Sequence, residues 1–286
     1  MTPAALGLVL VAAFSHATWN LLAKRVGGGP AFVWLFGVVA LCIYGPLAAG
    51  VVLLERPHIG AIQVVFLGGT SVLHVAYFLA LQHGYRAGDL SLVYPLARGT
   101  GPMLSSAAAI LVFGERPTPV AMAGTLLIGL GIFLLTGTPA GLRQAGARRA
   151  AGFALLTGAI IAGYTLWDKR AVSALGIPPL LFDWCGNLGR VLILTPVALR
   201  RFDDVRRLWG AHRREVVVVA GLTPLSYILV LTALVFTPVS YVAPAREISI
   251  LVGTVMGTRL LAEGDAPRRL AAAGAMVVGV AALAIG

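Results

Sequence analysis

Long apolar runs follow one another along the chain with little polar sequence between them. Each is close to the ~20 residues that a helix needs to cross a bilayer. They lie at roughly 4–23, 31–54, 60–83, 90–113, 118–137, 151–172, 178–199, 215–235, 238–261 and 267–285. Helix-punctuating residues mark several joints: Gly27-Gly28-Gly29-Pro30, Pro57, Arg116-Pro117, Pro139, Pro178-Pro179 and Asp265-Ala266-Pro267. Only 138–150 and 200–214 read as hydrophilic loops, which leaves no room for a separate soluble domain. The pattern predicts an all-α integral membrane protein of ten transmembrane helices.

Two runs are interrupted by residues that hydrocarbon accepts badly. Tyr94-Pro95-Leu96-Ala97-Arg98 lies in the fourth and Ala243-Pro244-Ala245-Arg246-Glu247 in the ninth. An arginine at the centre of a spanning helix costs about 2.5–3.5 kcal/mol even on the mildest scale, so it marks a functional site by default. The proline removes one backbone hydrogen bond that neighbours must restore.

The two stretches are related by a constant offset of 148 positions. Trp19 meets Trp167, Pro30 meets Pro178, Ala97-Arg98 meets Ala245-Arg246, Glu115 meets Glu263, Pro119 meets Pro267, and Gly131 meets Gly279. Each half holds five runs, an odd number, so the second half enters the membrane from the opposite face. The expectation is two inverted five-helix repeats, 1–137 and 151–286, joined by a basic linker, 138–150. Secondary transporters commonly follow this plan, with the site near the midplane between repeats.

Composition narrows the class. With 58% hydrophobic and 12% charged residues and a mean hydropathy of +0.90, the chain is no ordinary soluble domain. Its 35 glycines suit close helix packing in lipid; Gly124, Gly129, Gly131, Gly274 and Gly279 read as packing seams. The net charge of +11 sits mostly in short loops. That is the positive-inside signature, so the partner expected is the lipid bilayer and not nucleic acid. It places 138–150 and 200–214 in the cytoplasm and both termini outside. Cys42 and Cys185 fall inside spans and form no CxxC, so neither a disulfide framework nor zinc is supported. The first run lacks a basic leader and reads as a retained helix. No GxSxG, Walker loop, HExxH or paired-carboxylate motif is present, and Ser105-Ser106 has no base nearby in sequence. No catalytic residue, cofactor or metal is expected.

The polar residues inside the spans are the site candidates. Arg98 and Arg246 can grip a carboxylate, phosphate or phosphonate bidentately; the competing reading is a buried ion pair, Arg246 with Glu247 or another acid. Tyr94 shares the Arg98 stretch. Asp183, Asn187 and Arg190 are spaced to share one helical face. They form either a structural ladder or a proton-coupling site at Asp183, with Glu247 as the second carboxylate candidate. His16, Trp19 and Asn20 have Tyr164, Trp167 and Asp168 as repeat partners; Asp168 reads as a water-facing residue at a span end. His74, Tyr77 and Tyr227 complete the candidate lining, where interhelical hydrogen bonding competes with ligand contact. Glu115 and Glu263, in tight turns, read as acceptors for N–H groups at helix starts.

Ten spans in a five-plus-five repeat, a Trp late in the first span, Gly114-Glu115-Arg116 between spans four and five, and the Gly-rich span from Gly124 to Gly137 resemble the EamA-type transporters of the drug/metabolite transporter superfamily. The resemblance implies a bundle whose central cavity is lined by spans 1–4 and 6–9, with spans 5 and 10 peripheral. It also implies export or exchange of a small metabolite, with substrates that vary widely across the family. Two departures stand out: several relatives keep both termini in the cytoplasm, and the arginine pair is more cationic than an exporter of neutral amino acids or drugs requires. The Tyr94–Arg98 stretch bears a slight resemblance to a branch linked with phosphonate metabolism. The functional expectation is a secondary transporter of a small anionic metabolite, multi-pass in a bacterial-type inner membrane, as a monomer or weak homodimer. Its rivals are an exporter of neutral amino acids or drug-like compounds with structural arginines, and a membrane enzyme acting on a lipid-linked phosphate.

Overall fold

A computed structural model describes residues 1–26, 29–87, 90–136, 147–252 and 266–286. The described residues form helices α1 (Pro3–Val26), α2 (Gly29–Glu55), α3 (Ala61–Ala87), α4 (Leu90–Phe113), α5 (Pro119–Thr136), α6 (Ala147–Lys169), α7 (Pro179–Arg200), α8 (Phe202–Phe236), α9 (Val239–Ala245) and α10 (Ala266–Ile285), with no strand. Helix α6 runs on into a π-helical turn, Arg170–Ala174. The all-α membrane architecture is therefore as the apolar pattern predicts. Among the described residues, seven helices are long and apolar enough to cross a membrane, and two shorter apolar helices lie at Pro119–Leu134 and Leu270–Ile285. The expected ninth span, 238–261, lies outside the described residues beyond Val252, as does Glu263.

The distribution of side chains is that of a protein solvated by lipid. Leu54, Leu111, Ile285 and Leu270 are 76–87% exposed, whereas the interior is built largely of alanine, valine and isoleucine. Lipid tails are as apolar as leucine, so close packing of small residues, rather than expulsion of water, holds such helices together. Helices α5 and α10 pack chiefly on each other. A Cβ on Gly124 would come within 2.6 Å of the Gly279 carbonyl, and one on Gly279 within 2.7 Å of the Gly124 carbonyl. Gly131 sits equally close to Met276, and Gly129 abuts Met103 of α4. Gly274 departs from the expected seam: it faces open space.

Other pairings bring the two halves together. Helix α1 lies on α8 and α3 on α6; α2 lies on α8 and α3 on α7; α2 meets α7 and α4 meets α9. Each pairing maps onto another, or onto itself, when helix numbers shift by five. Helices α4 and α6 approach closely where Gly101 meets Ile161 and Gly158 meets Thr100. The N-terminal ammonium donates to the Leu283 and Ala284 carbonyls, which puts both ends of the chain at one end of the bundle. At that same end Glu115 accepts the Val239 and Ser240 N–H groups at 2.7 and 2.9 Å, the helix-start role expected of it.

One expected loop is a helix. Residues 202–211 are helical and break from the rest of α8 only at His212, whose φ of −132° and ψ of 32° leave the helical region. The density of arginines suggested a loop, but Phe202, Val205, Leu208 and Trp209 recur at helical spacing beneath them. Asp203 and Asp204 occupy the favourable first turn. Arg206 lies over the Phe202 ring and Arg213 over Trp209, as on an interfacial helix.

The α5–α10 seam predicts a contrast among glycines. Gly124→Leu or Gly279→Leu overpacks the seam and costs about 1–3 kcal/mol or more, whereas Gly274→Leu costs nothing measurable. Thermal stability in detergent, followed by the monodisperse fraction after heating, checks this.

Candidate functional site

The backbone of α9 runs helically to Ala245, turns at Arg246–Glu247, and resumes over 248–252. The turn aims three charged side chains at one buried place. Arg98 of α4 meets Glu247 at 2.8 Å. Arg246 meets the same carboxylate at 3.3 Å. Glu247 is 1% exposed, and the two arginines retain 13% and 12%. One carboxylate thus answers two guanidiniums. The ion-pair reading set Arg246 against Glu247; Glu247 in fact bridges both arginines across the two halves of the chain.

Aromatic side chains surround the far side of Arg246. Its guanidinium donates to the Tyr164 hydroxyl at 3.4 Å and lies over the same ring at 5.9 Å. Tyr164 stacks on His74 with ring centres 4.5 Å apart and meets Tyr77 edge-on at 5.9 Å. His74 in turn meets Tyr227 edge-on at 5.4 Å. His16 lies within electrostatic range of Arg98 and Arg246 and packs edge-on against Trp19. The Trp19 indole N–H is buried with no hydrogen-bond partner among the described residues, a donor left for a ligand or water. Arg98, Arg246, His74, Tyr77 and Tyr227 therefore form one connected region through Glu247 and Tyr164, with His16 in electrostatic range of it and Trp19 packed on His16.

Other candidates are placed elsewhere. Asn20 is exposed and donates to the His16 carbonyl of its own helix. Trp167 stacks on Phe66 at 4.1 Å, donates to the Phe66 carbonyl at 3.0 Å, and covers Gly69, which marks it as packing between α3 and α6. The side chain of Tyr94 lies outside the described residues. On α7, Arg190 donates to Asn187 at 2.7 Å and Asn187 to the Gly37 carbonyl at 2.9 Å, so these two form a structural ladder onto α2. Asp183 makes no hydrogen bond or ion pair within the described residues, though Arg190 lies in electrostatic range.

Asp168 corrects the reading from sequence most sharply. It is fully buried rather than water-facing. Thr70 donates to one carboxylate oxygen at 3.0 Å and Tyr227 donates to the other. Thr70 also touches His74, whose Nδ1 lies 2.8 Å from the Thr70 carbonyl. Lys169, the next residue, turns away and caps α8 through the Leu234 and Thr237 carbonyls. Tyr164, Thr70 and Asp168 were not singled out as site residues. The signal was available: Tyr164 and Asp168 are the offset partners of His16 and Asn20.

A helical bundle with a charged, aromatic-lined interior and several helices long and apolar enough to cross a bilayer has the architecture of a multi-pass membrane protein. Residues 3–137 match the EamA-like transporter family. A solved structure, titled only as the crystal structure of a protein, superposes with a TM-score of 0.74 at 18% identity. The superposition covers 100% of this chain and 98% of that one, a likeness of fold alone. No curated protein matches the chain significantly.

Removing one partner of a buried charge cluster strands the others. Glu247→Ala is expected to lose about 3–5 kcal/mol of stability, seen as a lowered Tm in detergent. Sulfate added to the buffer recovers part of the loss, because an oxyanion can take the place of the missing carboxylate. An unchanged Tm contradicts the bridge.

Proposed function

We propose that the protein is a secondary active transporter of a small anionic organic metabolite, working by alternating access as an exporter or exchanger in a bacterial-type inner membrane. The observation that carries this reading is the cluster Arg98–Glu247–Arg246: two guanidiniums converge on one carboxylate in a nearly dry interior. A convergent guanidinium pair selects a carboxylate, phosphate or phosphonate. Glu247 then stands in for the substrate's anionic group when the site is empty, and yields one or both arginines when the anion arrives. Tyr164, His74, Tyr77 and Trp19 supply ring faces and hydrogen-bonding edges for the rest of the substrate.

In this reading the halves 1–137 and 151–286 are inverted five-helix repeats joined by 138–150, and together they make ten spans. The five-shift symmetry of the helix pairings supports it. So does the meeting of Arg98 from one half with Glu247 from the other. Rocking of the repeats about this shared cluster gives access to each side in turn.

The competing reading makes the same cluster a purely structural tie in an exporter of neutral compounds. A counterflow screen in proteoliposomes, offering phosphonates, sugar phosphates, carboxylates and amino acids, separates the two. Anions are expected to exchange, and Arg98→Ala to cut that exchange about 10–100-fold, the worth of a charged hydrogen bond. If Arg98→Ala carries an anionic substrate as well as the parent does, the arginine is not part of the site.

A further inference from the structure

Asp168 is a buried carboxylate that the binding role of the arginines leaves unexplained. It is fully buried, and its two oxygens accept from Thr70 on α3 and Tyr227 on α8. No cation lies within ion-pair distance of it among the described residues. Taking a lone carboxylate out of water costs several kcal/mol, an expense that hydroxyl donors offset only in part; a bound proton removes it outright. The position is also asymmetric. The offset partner of Asp168 is Asn20, which has the same shape and no acid, so only one half of the chain carries this group.

The surroundings tie Asp168 to the arginines. From α3 it is faced by Thr70 and, one contact further, by His74 and Tyr77. From α8 it is faced by Tyr227. On its own helix Tyr164 lies one turn away, in contact with His74 and Arg246. Arg246 and, from α7, Asp183 lie within electrostatic range of it. Arg190 reaches the same group through Asp183 and His74, and Arg98 of α4 joins through Glu247. His16 of α1 sits beyond the arginines. Lys169 is excluded, since its ammonium is engaged with the α8 carbonyls.

We infer that Asp168 is the site of a co-transported proton. The inference rests on the anion-binding reading for its coupling but not for the proton site itself. The step is a simple protonation: the Asp168 carboxylate takes one proton from water on the open side and returns it to water on the other. While the proton is bound, the negative charge opposing Arg246 is gone and the arginine pair holds an anion more tightly. When the proton leaves, the restored carboxylate competes for Arg246 and favours release. Proton and anion therefore bind together and travel in the same direction, so a pH gradient drives the anion toward the alkaline side, and export proceeds when the anion's own outward gradient exceeds the opposing proton gradient.

Two measurements test this with separable outcomes. Infrared difference spectroscopy of the purified, substrate-free protein across about pH 5–9 should show a protonated buried-carboxyl band that comes and goes with pH. The band should vanish in Asp168→Asn, shift in frequency in Asp168→Glu, and persist in Asp183→Asn. A band that survives Asp168→Asn at full amplitude, or the absence of any titrating band in the parent, overturns the assignment. If Asp168→Asn does not fold, an unshifted band in Asp168→Glu does the same. In proteoliposomes with methylphosphonate as probe, a one-unit gradient, acid outside, should support about tenfold accumulation by the parent. Asp168→Asn should lose that accumulation, falling to about onefold, while keeping counterflow. Accumulation toward the acid side overturns the shared direction. A parent that carries no methylphosphonate counts against the substrate class, and the infrared result still decides Asp168.

Discussion

The structure depends on a single carboxylate shared between two guanidiniums. Glu247 belongs to the second half of the chain and Arg98 to the first, so their contact fixes how α4 and the segment beyond α9 cross. Buried ion clusters contribute little net stability, because desolvation cancels most of the attraction. Their consequence is specificity: a wrong register of the two halves strands Arg98 in hydrocarbon and leaves Glu247 to Arg246 alone. The turn at Arg246–Glu247 is what allows both residues to face the cluster, since adjacent residues of an uninterrupted helix point about 100° apart. Pro244, just before the turn, removes a backbone donor and loosens the helix there.

Around that cluster the packing is divided by purpose. Small residues bring α5 against α10 and α4 against α6 with backbone nearly in contact. The site's polar groups lie on inward faces of α1, α3, α4, α6, α7, α8 and the α9 segment. The region near Arg246 is aromatic as well as charged, so anionic head and apolar or aromatic body of a substrate have complementary surfaces a few ångströms apart. Asp168 stands at the edge of this region, separated from Arg246 by one helical turn and one tyrosine.

Much of this was legible in the sequence. Runs of about twenty apolar residues and the 148-residue offset predicted the helices and paired Arg98 with Arg246, because hydropathy and the cost of a buried charge act position by position. The role of Glu115 followed for the same reason: an acid in a tight turn has backbone donors within reach. Side-chain partners across helices were less accessible. Glu247 was ambiguous because sequence adjacency to Arg246 says nothing about Arg98. Trp167 and Asn20 were drawn into the site by offset to their partners, yet Phe66 and the His16 carbonyl claim them. Asp168 looked solvated because it sits near a helix end beside Lys169; only the arrangement of Thr70 and Tyr227, 98 and 59 positions away, shows it buried. The helix at 202–211 was hidden because Arg200, Arg201, Arg206, Arg207, Arg213 and Arg214 and the acids Asp203 and Asp204 crowd the four apolar residues of its stripe.

The account turns on whether an oxyanion occupies the space between Arg98 and Arg246. Anomalous diffraction from crystals soaked in selenate locates such an anion directly. The expected result is a selenium peak bridging the two guanidiniums, with the Glu247 carboxylate moved off at least one of them. A Glu247 that still bridges both arginines, with selenium absent from the cluster at saturating selenate, contradicts it.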